Sequence, residues 1–285
     1  MARLRASCRR VTATAHLLAG VHRAAVTREP FAHLARGGAV DPGVYEALSA
    51  SFPPLESFLA PREVGGSNRA VRRNAVRVAA DPGTPPVWRE FFAHHTSADY
   101  WRDVVRLFAG HFRRAFPDLE ARIGRPYEQW RIAPRGADPD ADVRLDCQFV
   151  VNTPVTVRSS VKTAHVDKGD KIFSALFYVP DPRETGAGGD LELYAWRRAP
   201  RFVKHRVLAR DVAVVRTVPY AANTCVAFVN SPRSVHGVTP RDATDVPRRY
   251  VNLIAEVRVR AFRPQQVGRV VRRWYGVATG GEDDA

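Results

Sequence analysis

Cysteine is almost missing: Cys8, Cys147 and Cys225 are the only three in 285 residues. Their odd number and scattered spacing exclude a disulfide framework and a cysteine-based zinc module, and fit a reducing, cytoplasmic setting. Long apolar runs are missing too. No stretch approaches the ~18 apolar residues of a membrane helix, so no membrane span is expected. Internal repeats and low-complexity blocks are also absent. Acids are scarce beside bases, 29 Asp and Glu against 44 Lys and Arg, for a formal net charge of +15. That balance keeps nucleic acid and acidic or phosphorylated substrates open as partners. The bases are nearly all Arg and are spread along the chain, which favours compositional bias over a nucleic-acid interface. Their densest knot, Arg69 to Arg77 in "NRAVRRNAVR", reads as a solvated basic face that could take an anionic group.

The first 25 residues contain no acid at all. They match an organelle presequence in composition but lack the apolar core of a secretory signal. The reading preferred here is a basic amphipathic first helix with Leu4, Val11, Ala15, Leu18 and Val21 on one side.

What is present falls into two halves. Up to about Ile123 the apolar spacing is mainly helical. In "SADYWRDVVRLFAGHFRRAFPDL", Trp101, Val104, Val105, Phe108, Phe112 and Phe116 recur at i, i+3/i+4, with Ser97 as N-cap and Pro117 as the stop. "SFPPLESFLAPREVGGSNR" and "AADPGTPPV" are loops. From Asp146 the pattern changes to nine short β-rich runs: "DCQFVV", "VTVRSSV", "KIFSALFYV", "DLELYAW", "RFVKHRVL", "VAVVRTV", "TCVAFVN", "SVHGVTP" and "RRYVNLIAEVRV". Closely spaced strands without intervening helices predict a β-sandwich or barrel. "DPRETGAGG" reads as a hairpin loop and the tail "ATGGEDDA" as disordered. The expected fold class is α+β: a C-terminal jelly roll with a mainly helical N-terminal region packed on it. The expected divisions are 1–125, 126–265 and a C-terminal extension, 266–285.

Chemistry enters at "KTAHVDKGDK". His165 and Asp167 are two apart, so on an extended strand both side chains face one way. His236 follows in "NSPRSVHGVTPR", near the end of the β region. Two imidazoles and one carboxylate presented by strands can cap one face of an octahedral metal, the arrangement suited to non-haem Fe(II) and O2. Such a centre keeps a net positive charge and can take an anionic chelating co-substrate. The far end of that co-substrate needs a cation. Arg248 and Arg249 open the strand "RRYVNLIAEV" facing opposite sides, so one of them should point inward and grip a carboxylate in bidentate fashion.

These pieces resemble the iron(II)/2-oxoglutarate-dependent oxygenases, nearest to the prolyl-4-hydroxylase-like subgroup, over His165 to Val257. "HVD", "ALFYVP", "GGDLELY", "SVHGVTP" and "RRYVNL" occur in that family's order. The resemblance implies that His165, Asp167 and His236 are the iron ligands. It also implies that Arg249, followed by Tyr250, anchors 2-oxoglutarate, with Arg248 and Arg241 as alternatives because the gap after His236 is long. Tyr178 falls where a hydroxyl bonds the same carboxylate, and Leu191 where an apolar wall lines the pocket. The implied activity is a dioxygenase that hydroxylates a small-molecule or peptidyl substrate using Fe(II), 2-oxoglutarate and O2, releasing succinate and CO2. Asp167 separates it from halogenating relatives, which lack that carboxylate. Substrate identity and oligomeric state are not written in the sequence.

Two rival readings stay in view. A nucleic-acid demethylase of the alkylation-repair type fits the charge, yet "RYVNLIAEVR" has the wrong spacing for that group's Arg-x-Asn-x-x-x-Arg ending. A cupin-like jelly-roll binding module without redox metal would make "HVDKGD" a polar hairpin. Singly, His165 and His236 suit that blander view. In conjunction, with "GGDL" between them and an Arg strand after, they suit the metal. His94, His95, His111 and His205 have no partner at ligand spacing and read as structural or exposed.

Overall fold

The computed structural model describes residues 15–59 and 66–263. Five helices are α1 (Pro42–Ala50), α2 (Ala75–Ala80), α3 (Pro86–His95), α4 (Ala98–Ala115) and α5 (Leu119–Ile123). Ten strands are β1 (His33–Arg36), β2 (Ala70–Asn74), β3 (Ile132–Pro134), β4 (Val143–Asn152), β5 (Lys171–Tyr178), β6 (Leu191–Trp196), β7 (Val212–Val218), β8 (Thr224–Val229), β9 (His236–Val238) and β10 (Arg248–Val257).

The long helix α4 follows its sequence signals. Ser97 Oγ accepts from Tyr100 N–H at 3.3 Å, Asp99 sits in the first turn, and Arg113 and Arg114 occupy the last. Each placement complements the helix dipole. Its apolar stripe, with Trp101, Val104, Phe108 and Phe112, is buried. Pro117 lies two residues past its end, where it cannot continue the ladder. Helix α1 begins in the same way, with the Asp41 carboxylate accepting from Gly43 N–H at 2.9 Å and Pro42 at its first position.

The strands form a seven-stranded sheet, ordered β1-β8-β5-β10-β4-β2 with β3 also on β4, and a three-stranded sheet ordered β7-β6-β9. Alternation sorts the two faces of the large sheet. Phe173, Ala175 and Phe177 of β5, Cys225 and Ala227 of β8, and Val251, Leu253 and Ala255 of β10 join Trp88, Phe91, Trp101 and Phe108 in one apolar core under the helices. The opposite face turns Tyr178, Val226 and Phe228 toward Leu191, Leu193 and Val218 of the small sheet. The helical core also takes in Leu17, Leu18, Phe52, Val143 and Val257, so it runs without a break across residue 125.

Several expectations change. The N-terminal half is not only helical: it supplies β1 and β2, the two edges of the main strand path. Seven of the nine β-rich runs are strands. The other two, "VTVRSSV" and "RFVKHRVL", make only isolated bridges, such as Val155 with Thr244, Ser159 with Arg241 and Val203 with Arg206. Residues 201–208 double back through Lys204, whose φ of 56° is left-handed. "DPRETGAGG" joins β5 to β6 in different sheets, so it is a crossover and not a hairpin. Residues 15–20 form a turn where a first helix was expected, although Leu18 and Val21 are buried as that pattern required. Leu4, Val11, Cys8 and the "ATGGEDDA" tail lie outside the described residues. Cys147 and Cys225 are buried free thiols. Among the described residues, no helix is long and apolar enough to cross a membrane.

Candidate metal centre

His165 and His236 are 71 positions apart in sequence and directly opposite in space. His165 N–H donates to His236 O at 2.9 Å, and His236 N–H donates to His165 O at 3.0 Å. Such a closed rung puts both side chains on the same side of the ribbon. The ring centroids are 4.2 Å apart. Gly237 lets this pairing happen, because a Cβ there would sit 3.1 Å from Ala164 N and Thr163 C.

A carbonyl oxygen can only accept, so Nδ1 of each ring must carry the proton. His165 Nδ1–H donates to Thr163 O at 2.7 Å, and His236 Nδ1–H donates to Ser234 O at 2.9 Å. Both Nε2 lone pairs are therefore left for a ligand. Burial, reinforced at His165 by its neighbour His236 and by Lys162, pushes the pKa of His165 well below the ordinary value. Burial likewise lowers His236. Both rings are neutral at pH 7, as metal ligation requires.

Asp167 completes the group, and the three donor atoms lie within 4.8 Å of one another. Its Oδ1 is 3.9 Å from His165 Nε2 and 3.7 Å from Lys162 Nζ. Its Oδ2 accepts from Ser174 Oγ at 3.1 Å, and Ser174 Oγ accepts from Asn230 Nδ2 at 2.8 Å. Burial works to raise the pKa of Asp167. Lys171 and Lys162 outweigh it and hold the carboxyl well below its usual range. Two neutral nitrogens and one carboxylate, each oriented by a second hydrogen bond, form a donor set that fits Fe(II). Phe228, with its ring 4.8 Å from that of His236, walls one side.

The arginines fall differently from the expectation. Arg249 shares its face of β10 with Val251, Leu253 and Ala255, so its side chain turns toward the helical layer. There it donates to Val179 O at 3.2 Å and Pro180 O at 2.9 Å, lies 3.6 Å from Asp181 and rests on Phe52. Arg248 points between the sheets. It is 2 % exposed, its guanidinium carbon lies 5.3, 4.3 and 4.7 Å from the ring centres of Tyr178, Tyr220 and Tyr250, and it donates to Gly189 O at 2.8 Å. Its Nε is buried without a partner, and no carboxylate among the described residues pairs with it. Arg241 is spent on a buried ion pair with Glu184 and on Val246 O. Strand alternation thus puts Arg248, not Arg249, on the side of β10 that faces the small sheet.

Tyr178 and Leu191 meet in the inner cluster, on facing sheets. Tyr178 is fully buried, and burial raises the pKa of its hydroxyl although the Arg248 guanidinium beside it pulls the other way. Gly188, at φ 88°, packs so closely on Pro240 that a Cβ would be 1.9 Å from its carbonyl oxygen. A Cβ on Gly189 would meet Arg248 Nε at 3.2 Å. That glycine pair seats the crossover directly beside the buried guanidinium. His95 is structural, its ring held between Leu17 N–H and Phe91 O.

Ser174 and Lys162 escaped notice in the sequence. Ser174 had a signal, since it is the one polar residue inside the apolar run "KIFSALFYV". Lys162 had none, because a lysine just before a strand is ordinary.

No family model and no curated protein matches the chain. Solved structures do. One is a prolyl-4-hydroxylase from Pseudomonas putida, at 13 % identity over 79 % of this chain and 92 % of that one, with TM-score 0.45. A second is a prolyl 4-hydroxylase from Phytophthora capsici, at 13 % over 86 % and 66 %, TM-score 0.47. A third is the epimerase SnoN in complex with Fe3+, alpha-ketoglutarate and nogalamycin RO, at 12 % over 79 % and 78 %, TM-score 0.46. At such identities and scores the likeness assigns no residue, and the site stands on its own side chains.

Proposed function

We propose that the protein is an Fe(II)- and 2-oxoglutarate-dependent dioxygenase built on a double-stranded β-helix, or jelly roll. The observation that carries this reading is the triad: His165 Nε2, His236 Nε2 and one Asp167 oxygen aimed at a common point, each fixed by a hydrogen bond from behind. In this reading these three hold Fe(II). Arg248 takes the distal carboxylate of 2-oxoglutarate, with the Tyr178 hydroxyl as a second donor and Leu191 as the apolar wall. A buried guanidinium whose Nε has no partner, beside the buried Tyr178 hydroxyl, favours an anion as its counterpart.

The bound metal, with co-substrate and O2, supplies oxidation of a substrate C–H bond to an alcohol, with succinate and CO2 as the other products. The chain's own work is to hold, orient and dry. Ser174 and Asn230 keep Asp167 from rotating, the two carbonyls keep the imidazoles in one tautomer, and Leu191, Val218 and Phe228 exclude water from the inner cluster. Succinate formation from 2-oxoglutarate tests the reading. It should require added Fe(II), occur slowly even without a prime substrate, and vanish in Asp167→Ala. Equal succinate in that variant, or none from iron-loaded wild type, would contradict the assignment.

A further inference from the structure

A groove of about 510 Å³ runs along α4, bounded by the segment Arg23 to Arg28 on one side and by Glu128 on the other. That volume lies in the ordinary range for a small-ligand site. Helix α4 packs through Phe108 on Phe173, whereas the next residue of β5, Ser174, bonds Asp167 on the opposite face of the sheet. The groove is therefore apart from the triad. Four arginines line it, Arg23, Arg28, Arg106 and Arg113, against the single acid Glu128.

Two of those arginines are already spent. Arg106 donates to Asp103 and to the carbonyls of Leu18 and Val21. Arg113 donates to Glu120 and to both oxygens of Glu128, so the acid of the groove is neutralised in place. Arg23 and Arg28 are different. Arg23 uses only its Nε, on Arg106 O, and Arg28 has no hydrogen-bond or ion-pair partner among the described residues. His111 adds a third donor. Arg114 can only donate, so His111 Nδ1 accepts from it at 3.1 Å and Nε2 carries the proton. Burial first, then Arg114 and Arg28, lower the pKa of this ring, so it is a neutral N–H donor at pH 7. Gly110 leaves the helix backbone bare in the groove. A Cβ there would meet nothing within 4 Å, so packing does not demand a residue that weakens a helix relative to alanine.

We propose that this groove binds a phosphate group, free or borne by a small organic molecule, on Arg23, Arg28 and the His111 Nε2–H. Two guanidiniums without acids at one groove repel each other, and an anion between them removes that cost. One guanidinium fork satisfies a planar carboxylate, whereas donors from both sides of a groove suit a tetrahedral dianion. Ala24, Val26 and the bare Gly110 give an organic body an apolar bed. The site does not depend on the oxygenase reading.

Calorimetry on the full chain tests it with phenyl phosphate, inorganic phosphate, benzoate and benzyl alcohol. Phenyl phosphate binds, benzoate binds at least fivefold more weakly, and benzyl alcohol does not bind. Inorganic phosphate either equals phenyl phosphate or falls below it; the first result makes the ligand the free ion, the second a phosphomonoester, and both support the site. Affinity for phenyl phosphate falls about fivefold in Arg23→Gln and in Arg28→Gln, and returns in part in Arg28→Lys. It is lost in Gly110→Leu, which fills the groove, and is unchanged in Arg77→Gln, an equal loss of charge outside it. Circular dichroism checks that each variant is folded. Binding unchanged in both groove Gln variants, an equal fall in Arg77→Gln, equal affinity for benzoate or benzyl alcohol, or no phosphate binding by the wild type overturns the inference. Loss of binding in His236→Ala would put the anion at the metal centre and overturn it as well. Binding of a mixed-sequence oligonucleotide without binding of either small phosphate would overturn it in favour of a nucleic-acid surface.

Discussion

Replacing Arg248 should damage co-substrate binding, whereas replacing Arg249 should not. Arg248 reaches the space between the sheets with one N–H on Gly189 O and its Nε unused, beside the Tyr178 hydroxyl. A carboxylate there would accept charge-assisted hydrogen bonds worth about 1.5–3 kcal/mol each. Losing one such bond weakens binding roughly 10- to 150-fold, at 1.4 kcal/mol per factor of ten. Arg248→Ala should therefore raise the Kd of 2-oxoglutarate for the Mn(II)-loaded protein by at least tenfold. Arg248→Lys should recover only part of the loss, because an ammonium keeps the charge without the planar fork. Arg249→Ala removes donors to Val179 O and Pro180 O and a cation over Phe52, so it should lower the denaturation midpoint and leave Kd within about twofold. Calorimetric titration of the three variants beside the wild type decides. A large rise for Arg249→Ala with none for Arg248→Ala would refute the strand register on which the reasoning depends.

Other outcomes follow from the same contacts. Ser174→Ala removes the hydroxyl between Asn230 and Asp167 and should weaken Fe(II) binding roughly 10- to 100-fold with little change in fold, checked by metal titration and circular dichroism. Glu184→Gln strands the buried Arg241 charge and should cost about 3–5 kcal/mol in a urea unfolding experiment. His94 stacks on His16, and burial first, then that neighbour, lowers its pKa to about 4. The folded state therefore binds fewer protons than the unfolded chain between pH 6.5 and about 4, and stability should fall as pH drops through that window. His94→Gln should flatten the fall, as read from denaturation midpoints across the same range.

How much of this was legible beforehand depended on whether the signal was local. Helix α4 declared itself through Ser97, its apolar stripe and Pro117, all within one segment. Strands β4, β5, β8 and β10 are buried along nearly their whole length and read as apolar runs. Strands β1 and β2 did not, because "HLAR" and "AVRRN" are short and polar and become strands only by pairing with β8 and β4. "VTVRSSV" failed for the opposite reason: its alternation is right, yet Val157 is 72 % exposed and the segment is held by isolated bridges. The triad was readable as a conjunction, although no residue in it was convincing alone. The choice between Arg248 and Arg249 was also written in the chain. Val251, Leu253 and Ala255 share Arg249's parity and form the apolar face, whereas Arg248 shares parity with Tyr250 and Asn252.

The central claim is that His165, Asp167 and His236 hold iron with room left for a chelating co-substrate. Anaerobic addition of Fe(II) and then 2-oxoglutarate to the metal-free protein tests it directly, through the weak visible charge-transfer band of the iron–2-oxoglutarate chelate. The band should appear in the wild type at one equivalent of metal and be absent in His236→Ala. A folded wild type that binds no iron, or a band that survives in His236→Ala, would contradict the account.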